Sequence, residues 1–443
     1  MGMFTRTVLA AAAAASVASC ASGDGNAPFA DEYLLQPVAG AARGVDPDFW
    51  RSGKICDITK APYHAVGDGS TNCTAAIQAA IDDCGDIADG LGGTVLVPTN
   101  SGSFVTGSLW LRSNLTLRVE ANATLIYPNL SIDASPIAYV RRECVMMDAH
   151  AGFLNAGRCL EKKDPLVGWD DCAKWSTVEN LVIEGDGTLD ANGDFWWNGT
   201  VPASESGRSR PMMLDLMWVD GLTIRDLNIR RPGFWTVHPT YCNNVRVTGL
   251  DIETFGHNTD GIDPDSSWNV YIGHNTISTG DDCIAVKSGR DWSGRMVNIS
   301  TENVLAEANI FERGHGVSIG SETSGWIRNV TFRDSSVNGT DSAVRIKSCI
   351  PRGGGVEHVT YQNMSGSVSQ AVQLTLNYGQ NSKSTATADN SSVIPAIRHV
   401  HIQDMVINAG DFLLCDGLGD SLIDNITMVR PILACVAFTN MIL

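Results

Sequence analysis

Short runs in which apolar and polar residues alternate recur along most of the chain, and many of them open on Asn or His. Asn244-Val-Arg-Val, Asn269-Val-Tyr-Ile, Asn329-Val-Thr-Phe, His358-Val-Thr-Tyr, His399-Val-His-Ile and Asn425-Ile-Thr-Met share this form. Alternation of period two predicts half-buried strands. Successive runs open at residues 221, 244, 269, 303, 329, 358, 399 and 425, so the steps are 23, 25, 34, 26, 29, 41 and 26 residues. A period in the twenties, with longer steps where a loop is inserted, predicts a solenoid. The runs are too β-branched for helical repeats, and the regular Leu positions of leucine-rich repeats are missing. A parallel β-helix over residues 53–443 fits best, with Asn side chains bonding along the stack at its corners; two β-sandwiches in tandem are the alternative. Residues 131–177 break the rhythm and are expected to form a surface insertion with its own disulfide, drawn from Cys144, Cys159 and Cys172. One segment, Thr74 to Cys84, has helical spacing, with Ala76, Ile77, Ala80 and Ile81 on one face. Thr71 or Asn72 could cap it, and a helix there would cover the open end of the coil.

Composition narrows the class. The chain has 443 residues, 43% of them hydrophobic, which excludes disorder throughout. Its formal charge is 31 − 49 = −18; a global nucleic-acid binder would be basic, so no such partner is expected. Arg6 followed by the apolar run Val8 to Val17 reads as a secretory signal over 1–20, too short to span a bilayer, with 21–52 as a leader. The rival reading lipidates Cys20. Twelve cysteines without a CxxC pair argue for disulfides and against zinc, and neither metal nor cofactor is expected. Eleven Asn-x-Ser/Thr sequons point to a secreted glycoprotein, unless Asn-x-Thr simply opens strands here. A monomer without a membrane partner is expected.

The candidate chemistry lies between Gly256 and Gly289. Asp260 and Asp281 are 21 residues apart, close to one coil, which would put them on neighbouring rungs about 5 Å apart. Asp282 is adjacent, and Thr279-Gly280 can supply the turn that lets both acids face outward. Three carboxylates this close cannot all ionise freely, so at least one should be held protonated. A protonated acid beside ionised bases is what glycosidic hydrolysis needs; solvated loop charges or a calcium site would use the same residues. His315 follows between two glycines. In Arg345-Ile346-Lys347, alternation turns both cations outward, where they could hold an anionic sugar or merely form a basic strand face. Tyr378 comes one step later and could stack on a sugar ring.

Taken together, the ordered motifs Asn258-Thr-Asp-Gly, Gly280-Asp-Asp, Gly314-His-Gly and Arg345-Ile-Lys resemble the polygalacturonase family of glycoside hydrolases. The likeness extends to the segments at 66–81, 187–197 and 232–245. It implies a right-handed, single-stranded parallel β-helix with an N-terminal capping helix, and inverting hydrolysis of α-1,4-galacturonan in pectin. By the same resemblance Asp281 is the general acid, Asp260 and Asp282 activate water, and His315 supports the acid. Arg345, Lys347 and Tyr378 hold the substrate, and Asn258 orients its neighbours. His238 is an added candidate for a neighbouring subsite. The chain departs from the family at Phe311, where many relatives carry a Cys that pairs with the one after Gly-Asp-Asp; Cys283 is therefore expected to be a free thiol. A calcium-dependent or Arg-based pectate or pectin lyase on the same fold, or a non-catalytic carbohydrate-binding β-helix, are the competing readings.

Overall fold

The computed structural model describes residues 53–85, 92–129, 132–162, 172–197, 210–379, 393–418 and 423–435. The signal and leader expected over 1–52 lie outside these residues. The described chain winds into stacked parallel strands that form three faces. A twelve-stranded sheet runs from Lys54–Asp57 to Ile423–Val429, and a thirteen-stranded sheet from Asp68–Asn72 to Ile432–Cys435. The third face begins with the strands Leu109–Trp110, Leu154–Ala156, Leu214–Met217 and Val237–Thr240. It continues through the bridges Val237 to Ile262 to Ile284, and merges into the long strand Ile310–Ile319. This is an all-β, right-handed parallel β-helix, and no tandem sandwich is present among the described residues.

The alternation seen in the sequence becomes columns along the stack. On the first sheet Leu222, Val245, Val270, Val304, Val330, Val359 and Val400 pair in register. Two residues on, Ile224, Val247, Ile272, Ala306, Phe332, Tyr361 and Ile402 form a second column, and all fourteen are buried. Phe332 and Tyr361 stack with ring centroids 4.9 Å apart. Each such side chain contributes roughly 1.5–3 kcal/mol of burial, so the columns hold the rungs in line.

The Asn or His that opens each run has a specific backbone task. Asn180, Asn244, Asn269, Asn303, Asn329, His358, His399 and Asn425 all have φ between 54° and 58°, or 53° at the last and at Asn329. This left-handed conformation is tolerated best by Gly and Asn, and Gly221 occupies the equivalent place. The register skips these residues in every rung: Asp220 pairs with Asn243 and Leu222 with Val245, leaving 221 and 244 between. Their side chains bond along the axis. Asn269 donates to Asn243, Asn303 to Asn269 and Asn329 to Asn303, at 2.9, 3.2 and 2.7 Å. His358 and His399 continue the line as parallel rings 4.9 Å apart. A second corner line, inside the coil, uses the buried amides of Asn275 and Asn309.

The N-terminal end is covered by helix α1, Thr74–Cys84, which buries Ile77, Ala80, Ile81 and Cys84. Its N-cap is Cys73 rather than Thr71 or Asn72, yet Asn72 Oδ1 still accepts the Thr74 N–H at 2.9 Å. A disulfide, Cys56–Cys84, ties the helix to the first strand.

The interruption at 131–177 is not one separate insertion. Ile137–Arg142 and Val145–His150 form one antiparallel hairpin, and Arg158–Lys162 with Cys172–Ser176 a second, closed by Cys159–Cys172. Between them Leu154–Ala156 returns to the third sheet, because Leu154 and Ala156 are needed in the core. Cys144 is an unpaired buried thiol, as are Cys73, Cys242, Cys283 and Cys349. Cys283 is therefore free, but not alone in being so.

Candidate active site

The acids sit where the third face crosses the middle of the coil. Asp281 and Asp282 lie in the bend between strands Thr276–Ser278 and Ile284–Val286. The bend is possible because position 280 is Gly: a Cβ there would stand 2.1 Å from the Gly256 carbonyl oxygen. Because Ile262 bridges Ile284, Asp260 falls in register with Asp282, one residue off the pairing that the 21-residue spacing suggested. Gly314-His315-Gly316 follows on the next rung, within the strand Ile310–Ile319, its glycines at φ 109° and 84°. A Cβ at Gly314 would press on the Asp281 carbonyl at 2.3 Å, so the backbone approaches as only Gly allows.

His315 faces both acids. Its Nδ1 lies 3.0 Å from Asp281 Oδ1 and 3.6 Å from Asp282 Oδ1. The nearer approach is a close charge contact rather than a well-aligned hydrogen bond, since Nδ1 meets no acceptor at good angles. Contact with Asp281, then with Asp282, pushes the imidazole up to about 9 against burial. Asp282 is 1% exposed and accepts from Arg345 Nη1 at 2.8 Å, Lys347 Nζ at 2.6 Å and Ser318 Oγ at 2.7 Å. Burial opposes its charge, but Lys347, His315 and Arg345 hold it well below the usual carboxylate range. Asp281 is 18% exposed and accepts the Asn258 N–H at 3.2 Å. Burial raises it too, yet the His315 contact leaves it below its ordinary value.

Asp260 behaves in the opposite way. Burial first, then Asp263 and Asp281, push it well above the usual range, against the pull of Lys287, whose Nζ is 3.7 Å away. Asp263, fully buried beside it, is raised as well, by burial first. Of the carboxylates in the set, the surroundings favour the protonated form at Asp260 and Asp263 rather than at Asp281.

Sequence reasoning missed Asp263 and Lys287. Both had a signal: alternation with inward Ile262, Ile284 and Val286 turns Asp263 and Lys287 outward, by the argument that picked out Arg345 and Lys347. Lys287 is buried over the Trp235 ring and pairs with Glu322 at 3.4 Å. Tyr378 is half-buried, its ring 4.9 Å from Lys347 Nζ and 5.8 Å from the Arg345 guanidinium. Arg345 and Lys347, expected to hold an anionic sugar, each donate one hydrogen bond to Asp282 and keep further N–H donors. His238 is 0% exposed, held between Asp215 at 3.4 Å and Asp265 at 3.8 Å, and cannot line an open subsite.

A family model described as glycosyl hydrolases family 28 matches residues 155–415, more than half the chain. The chain belongs to family 28. Within family 28, it is 30% identical over 354 residues to a probable polygalacturonase of Vitis vinifera, covering 78% of this chain and 67% of that one. It is 29% identical over 402 residues to an exo-poly-alpha-D-galacturonosidase of Dickeya chrysanthemi, covering 79% of this chain and 62% of that one. The crystal structure of an exopolygalacturonase from Thermotoga maritima superposes with a TM-score of 0.74 at 23% identity, over 91% of this chain and 90% of that one, and shares its fold. As a family 28 member the chain is a glycoside hydrolase.

Proposed function

We propose that this glycoside hydrolase cleaves the α-1,4-galacturonosyl linkages of polygalacturonate with inversion, Asp281 protonating the leaving oxygen and Asp260 with Asp282 holding the attacking water. The observation that carries the assignment is the unequal placement of the acids. Asp281 alone is appreciably exposed, while Asp260 and Asp282 stand behind it in register on adjacent rungs. A leaving group entering from solvent meets Asp281 first. Burial raises the Asp260 and Asp263 carboxyls, whereas His315 lowers that of Asp281. A substrate carboxylate brought near Asp281 raises its pKa and favours its acid form, and Asp260 must be ionised to act as base.

The lyase reading is less well supported. Asp281, Asp282 and His315 offer ligand atoms within 4.8 Å of one another. Asp282 of that cluster already accepts from Arg345 and Lys347, and a divalent cation would have to compete with both. Two disulfides among the described residues suit an oxidising compartment, in keeping with secretion, and no described helix is long and apolar enough to cross a membrane. Pectin is the expected polysaccharide partner.

Proton NMR of fresh products tests the chemistry. Inverting hydrolysis gives early β-anomer, and chelator leaves the rate intact; a 4,5-unsaturated uronate would identify a lyase, and early α-anomer a retaining enzyme. Asp281→Asn should lower kcat by a factor of about 10² or more while the fold is retained; near-parental turnover would remove Asp281 from the mechanism.

A further inference from the structure

The hairpin Ile137–Arg142/Val145–His150 is pressed onto the face of the coil beside the acids. Arg141, with no exposed surface, ion-pairs with Asp265 and donates to the Tyr241 hydroxyl. Glu143 at the tip pairs with Arg290 at 2.6 Å. Cys144 packs with Met212, Phe234 and Trp235 in a small apolar cluster of its own. Beneath the hairpin, His238, Asp263 and Asp265 have no solvent access. The face of the coil beside Asp281 is therefore covered on the side of the preceding rungs.

Two arginines stand on that side, and among the described residues neither is paired with a carboxylate. The Arg142 guanidinium lies 3.8 Å from the centroid of the Phe234 ring and donates to the Arg210 carbonyl. The Arg210 guanidinium lies 4.8 Å from the same centroid and donates to the His257 carbonyl at 2.6 Å and to Asn258 Oδ1 at 2.7 Å. Arg210 thus holds the residue whose N–H meets Asp281. The other cations around the acids are already matched: Arg345 and Lys347 by Asp282, Lys287 by Glu322, Arg141 by Asp265, and Arg352 by Asp291. Burial, the largest influence on both, draws Arg142 down to about 9 and Arg210 to about 10, which leaves both cationic at neutral pH. Arg142 is half-buried and Arg210 is 8% exposed, and although Glu143 acts on both, and Asp260 and Asp281 on Arg210, none of these carboxylates reaches ion-pair distance; in a chain of net charge −18 such a pair of guanidinium groups is arranged for an anionic ligand.

We propose that Arg210, backed by Arg142 of the hairpin, receives the carboxylate of a terminal uronate, and that the hairpin behind them stops the polymer there, so that bonds are cut from a chain end. This rests on the galacturonan-hydrolase reading and adds to it the cation of one subsite and the direction of attack. A planar guanidinium fits a carboxylate in bidentate fashion, and Arg210 would place it against the acid through Asn258. Cys144 and Arg141 anchor the hairpin but touch no substrate.

The test is digestion of polygalacturonate by the full chain, with products sized from the earliest times, and steady-state kinetics of Arg210→Gln, Arg210→Lys and Arg142→Gln. Only monomer or dimer should appear with the parent. Arg210→Gln should raise KM by a factor of about 10 or more while changing kcat less, Arg210→Lys should recover part of that, and Arg142→Gln should shift KM in the same direction. If Arg210→Gln does not fold, Arg142→Gln decides, because the Arg142 side chain donates to a backbone carbonyl and pairs with no carboxylate among the described residues. A ladder of intermediate sizes from the parent, or parental KM in the folded Gln variant, overturns the proposal. A parent that does not cut polygalacturonate at all overturns the hydrolase reading as well, and is told apart from the other failures by the parent alone.

Discussion

His315 sets the electrostatic state of the acid beside it. Its contact holds Asp281 below the ordinary carboxylate range, so the free enzyme has the acid form of Asp281 only at low pH. We expect kcat/KM to fall as pH rises out of the acidic range. His315→Gln should move that limb to higher pH, because removing the cation raises the Asp281 pKa; a limb that stays in place would mean another group controls it. Lys347 acts on Asp282 in the same sense. The folded pKa of Asp282 is depressed, so its contribution to stability is present above the unfolded value near 3.9 and is lost as pH falls through the folded one. Lys347→Met removes part of that depression, and acid unfolding should begin at higher pH than in the parent, as followed by circular dichroism. Much of this site was legible in the sequence. Asp260, Asp281, Asp282 and the two cations of Arg345-Ile-Lys lie on or next to alternating runs, where face can be read from spacing. Arg210 sits outside any run, and its place depends on a fold that brings 210 to 258. The fate of His238 depends on a hairpin a hundred residues away, which no local pattern could announce.

At the scale of the elements, the recurring Asn is a backbone device before it is a hydrogen-bonding one. Asn303 holds φ 58° and sits between two amides, donating to Asn269 and accepting from Asn329. Asn303→Gly keeps the backbone conformation and loses the bonds; Asn303→Ala loses both. We expect denaturant unfolding to show about 1 kcal/mol lost for Gly and about 2–3 kcal/mol for Ala. Equal losses would mean that the conformation contributes nothing. The spacing of these residues gave the strands and their period. It could not give the hairpins that begin at Ile137 and Arg158, which pair antiparallel across sequence with no repeat, nor the return of Leu154–Ala156 to the coil between them.

In the whole molecule, a stack of parallel rungs has two ends, and the first is closed by α1 and held by Cys56–Cys84, 28 residues apart. Opening that loop with Cys56→Ser and Cys84→Ser should cost about 3–4 kcal/mol by loop-closure entropy, read as a fall in the midpoint of thermal unfolding; an unchanged midpoint would mean the end cap is held by packing alone. The corner line of Asn residues has one more consequence, for how the protein can be made. Asn329 and Asn425 are both members of that line and sequon acceptors, and the Nδ2 atoms that would carry a sugar are those that reach Asn303 and His399. A secretory host that attaches oligosaccharides to the nascent chain, before the rungs close, would leave each of these amides with one N–H and put a branched sugar at the exposed corner of the stack. The choice of expression organism thus becomes a structural variable, and the same gene would yield two materials of unequal regularity.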